Sequence, residues 1–171
     1  MIARRAWRVL LAALLTVIWA SPADAADGQA ARVDRIYNLL RFVSWPHVKP
    51  VRRVCLYRND PMAGSMVVLA GQNLGDDVLE VVLMGQAATA RSDCDIVYVG
   101  GAHSGGANGA LVAGAGQVLV GEGVGFAESG GTVGLFADNG KIRFAINAKA
   151  ARQSGIRFSS QVLKLAARVV N

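Results

Sequence analysis

Two short runs constrain this chain more than anything else in it. Residues 78–84 (Val-Leu-Glu-Val-Val-Leu-Met) and 94–99 (Cys-Asp-Ile-Val-Tyr-Val) are apolar at nearly every position. A strand with one face in water alternates between apolar and polar residues. A strand buried on both faces does not, and such strands sit at the centre of α/β sheets. The two runs therefore predict a sheet with layers on both sides. Residues 51–57, with Val54, Cys55 and Leu56 at the centre, add a third strand, and residues 117–120 a fourth. Residues 132–137 and 141–146 alternate and are joined by Asp138-Asn139-Gly140, the turn chemistry of a β-hairpin.

Helical patterns fall between these strands. Val33, Ile36, Tyr37, Leu40 and Val43 are spaced i, i+3, i+4, i+7 and i+10, which predicts an amphipathic helix over 28–43. Trp45-Pro46 should end it, because the residue before proline is pushed out of the α region. Pro61 suits the first turn of a helix over 62–70, ended near Gly71. Residues 104–115, rich in Ala and Gly, form a further short helical segment. Asn147 can cap a helix running to Arg152 and ended by Gly155. Ser159 or Ser160 caps the last helix, with Leu163, Ala166 and Val170 facing inward. The order α-β-α-β-β-α-β-β-β-α-α describes one three-layer-type α/β domain. It has a mostly parallel mixed sheet, a C-terminal β-hairpin and flanking helices.

The amino terminus sets the compartment. Arg4, Arg5 and Arg8 precede an apolar stretch over 10–20, and Ala23 and Ala25 stand at the −3 and −1 positions of a cleavage site. This is the layout of a secretory signal peptide over 1–25, and its apolar run is too short to span a bilayer. The exported domain is then 26–171, whose 146 residues suit one domain with a sizeable core. The whole chain has 18 Lys+Arg and 12 Asp+Glu, and loss of Arg4, Arg5, Arg8 and Asp24 leaves 15 against 11. No basic stripe interleaved with aromatics appears, so nucleic-acid binding is excluded as the main reading. The two cysteines, Cys55 and Cys94, read as one disulfide in an oxidising compartment, with two buried thiols as the alternative. A bridge closing 39 positions contributes about 4 kcal/mol in the chain-entropy model.

Catalytic and metal chemistry find little support. His47 follows Pro46 at a helix exit, and His103 sits in a Gly-rich turn after a strand. No His or Cys pair has zinc-ligand spacing. Gly121-Glu122-Gly123-Val124-Gly125 lacks the Lys-Ser/Thr of a P-loop and does not occupy the first strand-to-helix turn, so its glycines read as turn formers. Asp76-Asp77 and Asp93 with Asp95 do not form an acid/base dyad. No cofactor is implied. A regulatory or binding protein suits this profile better than an enzyme. A small-molecule sensor or solute-binding domain, with a pocket near the strand ends by His103, is the alternative.

Six local signatures stand in a telling order. They are Ile36-Tyr37-Asn38-Leu39-Leu40-Arg41-Phe42-Val43-Ser44-Trp45-Pro46; Val54-Cys55-Leu56-Tyr57 followed by Asn59-Asp60-Pro61; Cys94-Asp95-Ile96-Val97-Tyr98-Val99; Gly125-Phe126-Ala127-Glu128-Ser129-Gly130-Gly131; Lys141-Ile142-Arg143-Phe144-Ala145-Ile146-Asn147; and Ser159-Ser160-Gln161-Val162-Leu163-Lys164-Leu165-Ala166. The set resembles the YfiR family of periplasmic proteins over nearly all of the mature chain. Two positions depart from it: Asp95 stands where His is frequent, and Gly121-Glu122 replace the Ser-Asp before the Gly-Phe loop.

The resemblance implies a repressor that binds the periplasmic sensor domain of a membrane diguanylate cyclase, lowering cyclic-di-GMP and biofilm formation. An outer-membrane OmpA-like lipoprotein sequesters such repressors. The resemblance also implies that Cys55 and Cys94 are bonded. For the partner surface, Phe126 on an exposed loop is one candidate, with burial in the core as its alternative. Glu128 lies on the same loop, and Arg143 and Asn147 adjoin it if the hairpin packs beside it, although Asn147 also reads as a cap. Leu163 and Leu165 lie on different faces of the last helix, leaving one of them for a partner or a homodimer contact.

Overall fold

The computed structural model describes residues 22–85, 92–101 and 112–171. Residues 1–21 of the predicted signal peptide, His103 and most of the predicted helix over 104–115 lie outside the described residues. The chain opens with α1 (Pro22–Leu40) and β1 (Val43–Ser44), then β2 (Val51–Tyr57). A short α2 (Ala63–Met66) runs into a 3-10 turn (Val67–Leu69), followed by β3 (Asn73–Leu74), β4 (Asp77–Met84) and β5 (Ile96–Val99). Next come β6 (Val118–Glu122), α3 (Val124–Glu128), β7 (Val133–Asp138) and β8 (Lys141–Asn147). The chain closes with α4 (Ala148–Gln153), β9 (Arg157–Phe158), α5 (Ser160–Leu165) and β10 (Arg168–Val170).

Eight strands form one sheet in the order β10-β8-β7-β6-β5-β2-β4-β3. Only β3 with β4 and β7 with β8 pair antiparallel within it. The mostly parallel mixed sheet with flanking helices is the predicted class, and β7–β8 is the predicted hairpin. Asn139 and Gly140 both take positive φ (48° and 73°), as a two-residue turn matching the strand twist requires.

Alternation along the central strands builds two cores. Val54 and Leu56 of β2, Ile96 and Tyr98 of β5, and Val118 and Val120 of β6 face one layer with Val33, Ile36 and Leu40 of α1. Cys55, Tyr57, Val97, Val99 and Leu119 face the opposite layer with Phe126 of α3. Over these residues each strand is apolar at successive positions because neighbouring residues serve different cores.

Several predicted boundaries are corrected. The first helix stops at Leu40, and Val43 leaves its stripe to pair in β1 with Phe158 of β9. Trp45-Pro46 keeps this segment extended. The helix predicted over 62–70 breaks after one turn into the 3-10 turn. Val170 is no helix residue: α5 ends at Leu165, the Ala167 N–H donates to the Phe144 carbonyl at 2.9 Å, and Arg168–Val170 then pair with β8. The exposed side of β8 offers free backbone groups, which outcompete one more helical turn. Ser159 is the cap of α5, accepting from the Val162 N–H at 3.3 Å.

At the amino ends of β2, β4 and β5 a buried cation holds the strands together. Arg52, 3% exposed, donates its Nε to Asp77 and its Nη2 to the His47 carbonyl at 2.8 Å. Its guanidinium lies 3.7 Å from Asp95 and stacks 4.4 Å from the Trp45 ring centroid. Asp95 also takes the Lys49 Nζ at 2.7 Å and the Arg53 N–H at 3.0 Å. The residue that departs from the family pattern is thus tied into the sheet. Removing Arg52 strands the Asp77 carboxylate and takes one cation from Asp95, so Arg52→Ala is expected to lower unfolding free energy by about 3–5 kcal/mol in urea denaturation.

Candidate functional site

The Gly-rich stretch around α3 is a slot for one aromatic ring. A Cβ on Gly121 would stand 2.4 Å from the Phe126 ring, and one on Gly131 2.1 Å from it. A Cβ on Gly134 would stand 2.1 Å from the Gly123 carbonyl oxygen. The glycines let α3 lie directly on β6 and β7 and let Phe126 sink to 4% exposure beside the core half that holds the cysteines. Phe126 is therefore no exposed anchor. Its loop is a helix, and the ring can face inward onto the core because Gly121 and Gly131 leave room for it.

Of the other predicted partner residues, Glu128 and Asn147 line one pocket at the end of α3 with Ser129 and Gly130, whereas Arg143 and Leu163 lie away from it. Asn147 is buried: its Oδ1 accepts from the Ala150 N–H at 2.8 Å as the cap of α4, and its Nδ2 donates to the Ala127 carbonyl at 2.7 Å. Glu128 is exposed and pairs with Arg168 of β10 at 2.8 Å. Leu163 packs against the main core, and Leu165 is the leucine left in solvent. Arg143 lies elsewhere, on β8. His47 is exposed, and the Cys55 and Cys94 sulfurs are bonded, with Cα atoms 5.9 Å apart, joining the middle of β2 to the approach to β5.

Arg143 belongs to a cleft that the separate candidates did not reveal. Arg35 of α1, Lys141 and Arg143 of β8 and Lys164 of α5 line it together with Ile142, Phe144, Leu165 and Ala166. Its volume is about 350 Å³, and no carboxylate lines it. The scattered positive residues from Lys141 onward were visible in the sequence. Their meeting with Arg35 depends on α5 folding back along β8.

A second cleft opens where the sheet changes direction. The chain passes from β2 to β4 on one side and then to β5 on the other, so the crevice beyond the carboxyl ends of β2 and β5 is a topological switch point. Ligands favour such places in open α/β sheets. Gln29 and Arg32 of α1, Asp60, Pro61 and Met62 after β2, Tyr98, Gly100 and Gly101 at the end of β5, and Glu122 of β6 line about 390 Å³ there. The Tyr98 hydroxyl donates to Glu122 at 2.6 Å, and Arg32 Nε meets the same carboxylate at 3.2 Å. Sequence reasoning placed a pocket near the strand ends but assigned it to His103. The signal it passed over was Asp60 in the first strand-to-helix turn, read there only as turn chemistry.

A disulfide-linked α/β domain with several surface clefts and no metal-holding cluster of His, Cys, Asp and Glu among the described residues is the class that emerges. The model of the YfiR/HmsC-like family matches residues 29–167, and the chain belongs to that family. The family is regulatory, and it is periplasmic. No curated protein matches the chain significantly. The crystal structure of a "conserved domain protein" from Vibrio cholerae is similar with a TM-score of 0.48 and 15% sequence identity. The similarity covers 82% of this chain and 60% of that one.

Two measurements check this layout. Phe126→Ala empties a slot that backbone lines on several sides, and it is expected to cost about 3–5 kcal/mol in chemical denaturation. Burial, and then the hydrogen bond to Glu122, push the Tyr98 phenol well above its ordinary range. In the unfolded chain that phenol ionises near pH ~10, whereas the folded protein keeps its proton. The native state then binds more protons, so stability falls as pH rises above about 10. Tyr98→Phe is expected to flatten that fall, by up to about 1.4 kcal/mol per pH unit, in denaturation series at alkaline pH.

Proposed function

We propose that residues 1–25 export this chain, that cleavage follows Ala25, and that residues 26–171 repress an inner-membrane diguanylate cyclase by binding its periplasmic sensor domain. Membership of the YfiR/HmsC-like family across residues 29–167 is the observation that carries this reading. The regulated output is cyclic-di-GMP synthesis and biofilm formation, and an outer-membrane OmpA-like lipoprotein relieves repression by sequestering the repressor. Repression is a population shift. Moving a two-state cyclase from 1:99 to 99:1 takes a difference in affinity for its two states of about 5.5 kcal/mol.

The basic cleft is the surface best suited to the partner. Arg35, Lys141, Arg143 and Lys164 surround exposed Leu165, an apolar centre with a charged rim. Such a surface recognises an acidic face carrying an apolar side chain, and its rim charges act mainly on encounter rate and specificity. The disulfide makes repression redox-sensitive: its reduction removes about 4 kcal/mol at most, a large share of a single domain's stability.

Calorimetric titration of oxidised residues 26–171 into the periplasmic domain of the adjacently encoded diguanylate cyclase tests the reading. Submicromolar affinity is expected, weakened by reductant and by raised salt. Reversing both charges in Arg143→Glu/Lys164→Glu should weaken binding on the order of tenfold or more while leaving the melting temperature near wild type. Absence of binding at tens of micromolar for the wild type sinks the pairing. Unchanged affinity in the double variant moves the interface away from this cleft.

A further inference from the structure

The switch-point crevice holds a carboxylate oxygen that nothing among the described residues satisfies. Asp60 is 6% exposed. Its Oδ1 accepts from the Met62 N–H at 2.8 Å, and its Oδ2 has no hydrogen-bond partner among the described residues. Buried polar atoms are nearly always paired, and an unpaired carboxylate oxygen is among the costliest exceptions. The neighbouring donors are engaged elsewhere: the Tyr98 hydroxyl on Glu122, and Arg32 through Nε on Glu122 and Nη1 on the Gly28 carbonyl at 3.1 Å. A Cβ at position 100 would stand 1.7 Å from Asp60 Oδ2, so only glycine leaves that oxygen its place beside the cleft. Of the charged residues lining the cleft, Asp60 and Glu122 oppose Arg32 alone, which leaves one negative charge uncompensated.

We propose that this crevice binds a small organic cation whose ammonium or guanidinium group donates to Asp60 Oδ2, its carbon chain lying against Pro61 and Met62. A metal ion fits less well. Calcium wants six to eight oxygen ligands, whereas both Glu122 oxygens are already held by Tyr98 and Arg32. An ammonium or guanidinium brings its own donors and needs one strong acceptor, which is what Asp60 offers. Because the site joins α1, the turn after β2 and the ends of β5 and β6, an occupant would stabilise the folded domain by mass action. The crevice lies apart from the basic cleft, and its occupancy is independent of the cyclase reading, which has its own titration.

The oxidised mature protein is titrated with putrescine and with agmatine, by calorimetry and by thermal denaturation, with choline as a cation lacking an N–H donor. At least one of the first two is expected to raise the melting temperature by about 5–10 °C at 100-fold saturation, and choline to do so much less. Asp60→Asn keeps the acceptor for the Met62 N–H and removes the charge. It should bind on the order of 10- to 100-fold more weakly, while Asp138→Asn, in the exposed hairpin turn, binds like wild type. No binding of either amine at about 10 mM, or equal binding by Asp60→Asn, overturns the proposal. Should Asp60→Asn fail to fold, amide shift mapping of the wild type decides. Changes at Gly100, Gly101 and Tyr98 support the site, and changes confined elsewhere overturn it.

Discussion

β2 pairs in parallel with β4 along its whole length and with β5 at its centre, and its side chains alternate between two separate cores. From Val54 to Tyr57 such a strand has no face or edge left for water, and only Val51 and Arg53 at its start reach solvent. Everything around it follows from covering it. α1 and α2 close the face of Val54 and Leu56, and α3 with its phenylalanine closes part of the face of Cys55. The disulfide fastens the middle of the strand to the approach to β5, and Arg52 fastens its beginning. The interactions at the two points are of different kinds. A disulfide acts largely by restricting the unfolded chain. The Arg52 cluster acts in the folded state, where its charges are tolerable only because each is paired.

Much of this was legible in the chain, for physical reasons that can be named. Residues 94–99 announced a doubly buried strand through missing polar alternation, whereas 78–84, read the same way, became β4, which lies beside the two-residue edge strand β3 and leaves Val78 and Glu80 exposed. Asp138-Asn139-Gly140 announced a hairpin because few residues accept two successive positive φ angles. Asn147 and Ser159 announced helix starts through a side-chain oxygen placed before a helical run. What stayed hidden has no local signature. β1, β3 and β9 are two residues long, too short for any period, and exist only because a distant partner fixes them. β10 is drawn out of a helical pattern by the open side of β8. Phe126 looked like an exposed loop aromatic, because a slot made by Gly121 and Gly131 appears only once β6 and β7 lie side by side.

The same distinction applies to the two clefts. Neither is a contiguous motif. The basic cleft needs Arg35, some hundred positions before Lys141, to reach the far end of the sheet. The acidic crevice needs α1, the turn after β2 and the ends of β5 and β6 to converge. A pattern reader sees Asp60 beside Pro61 and finds a turn. The oxygen without a partner becomes visible only when burial and hydrogen bonds are counted together, because a polar atom is anomalous only relative to what surrounds it.

Helix α1 contributes to both clefts, through Arg32 to the crevice and through Arg35 to the basic surface. These residues are three apart, less than one helical turn. A ligand bound at Asp60 beside Arg32 and a partner held at Arg35 would therefore bear on the same rigid element. Proximity alone does not couple them. Coupling requires that α1 have two arrangements against the sheet and that each occupant favour one of them, and it would then be reciprocal. The packing of Val33, Ile36 and Leu40 into the main core opposes large movement of this helix. Any such coupling would have to run through a small rotation that preserves that contact, with the partly exposed Arg32 to Glu122 pair as the contact most easily remade.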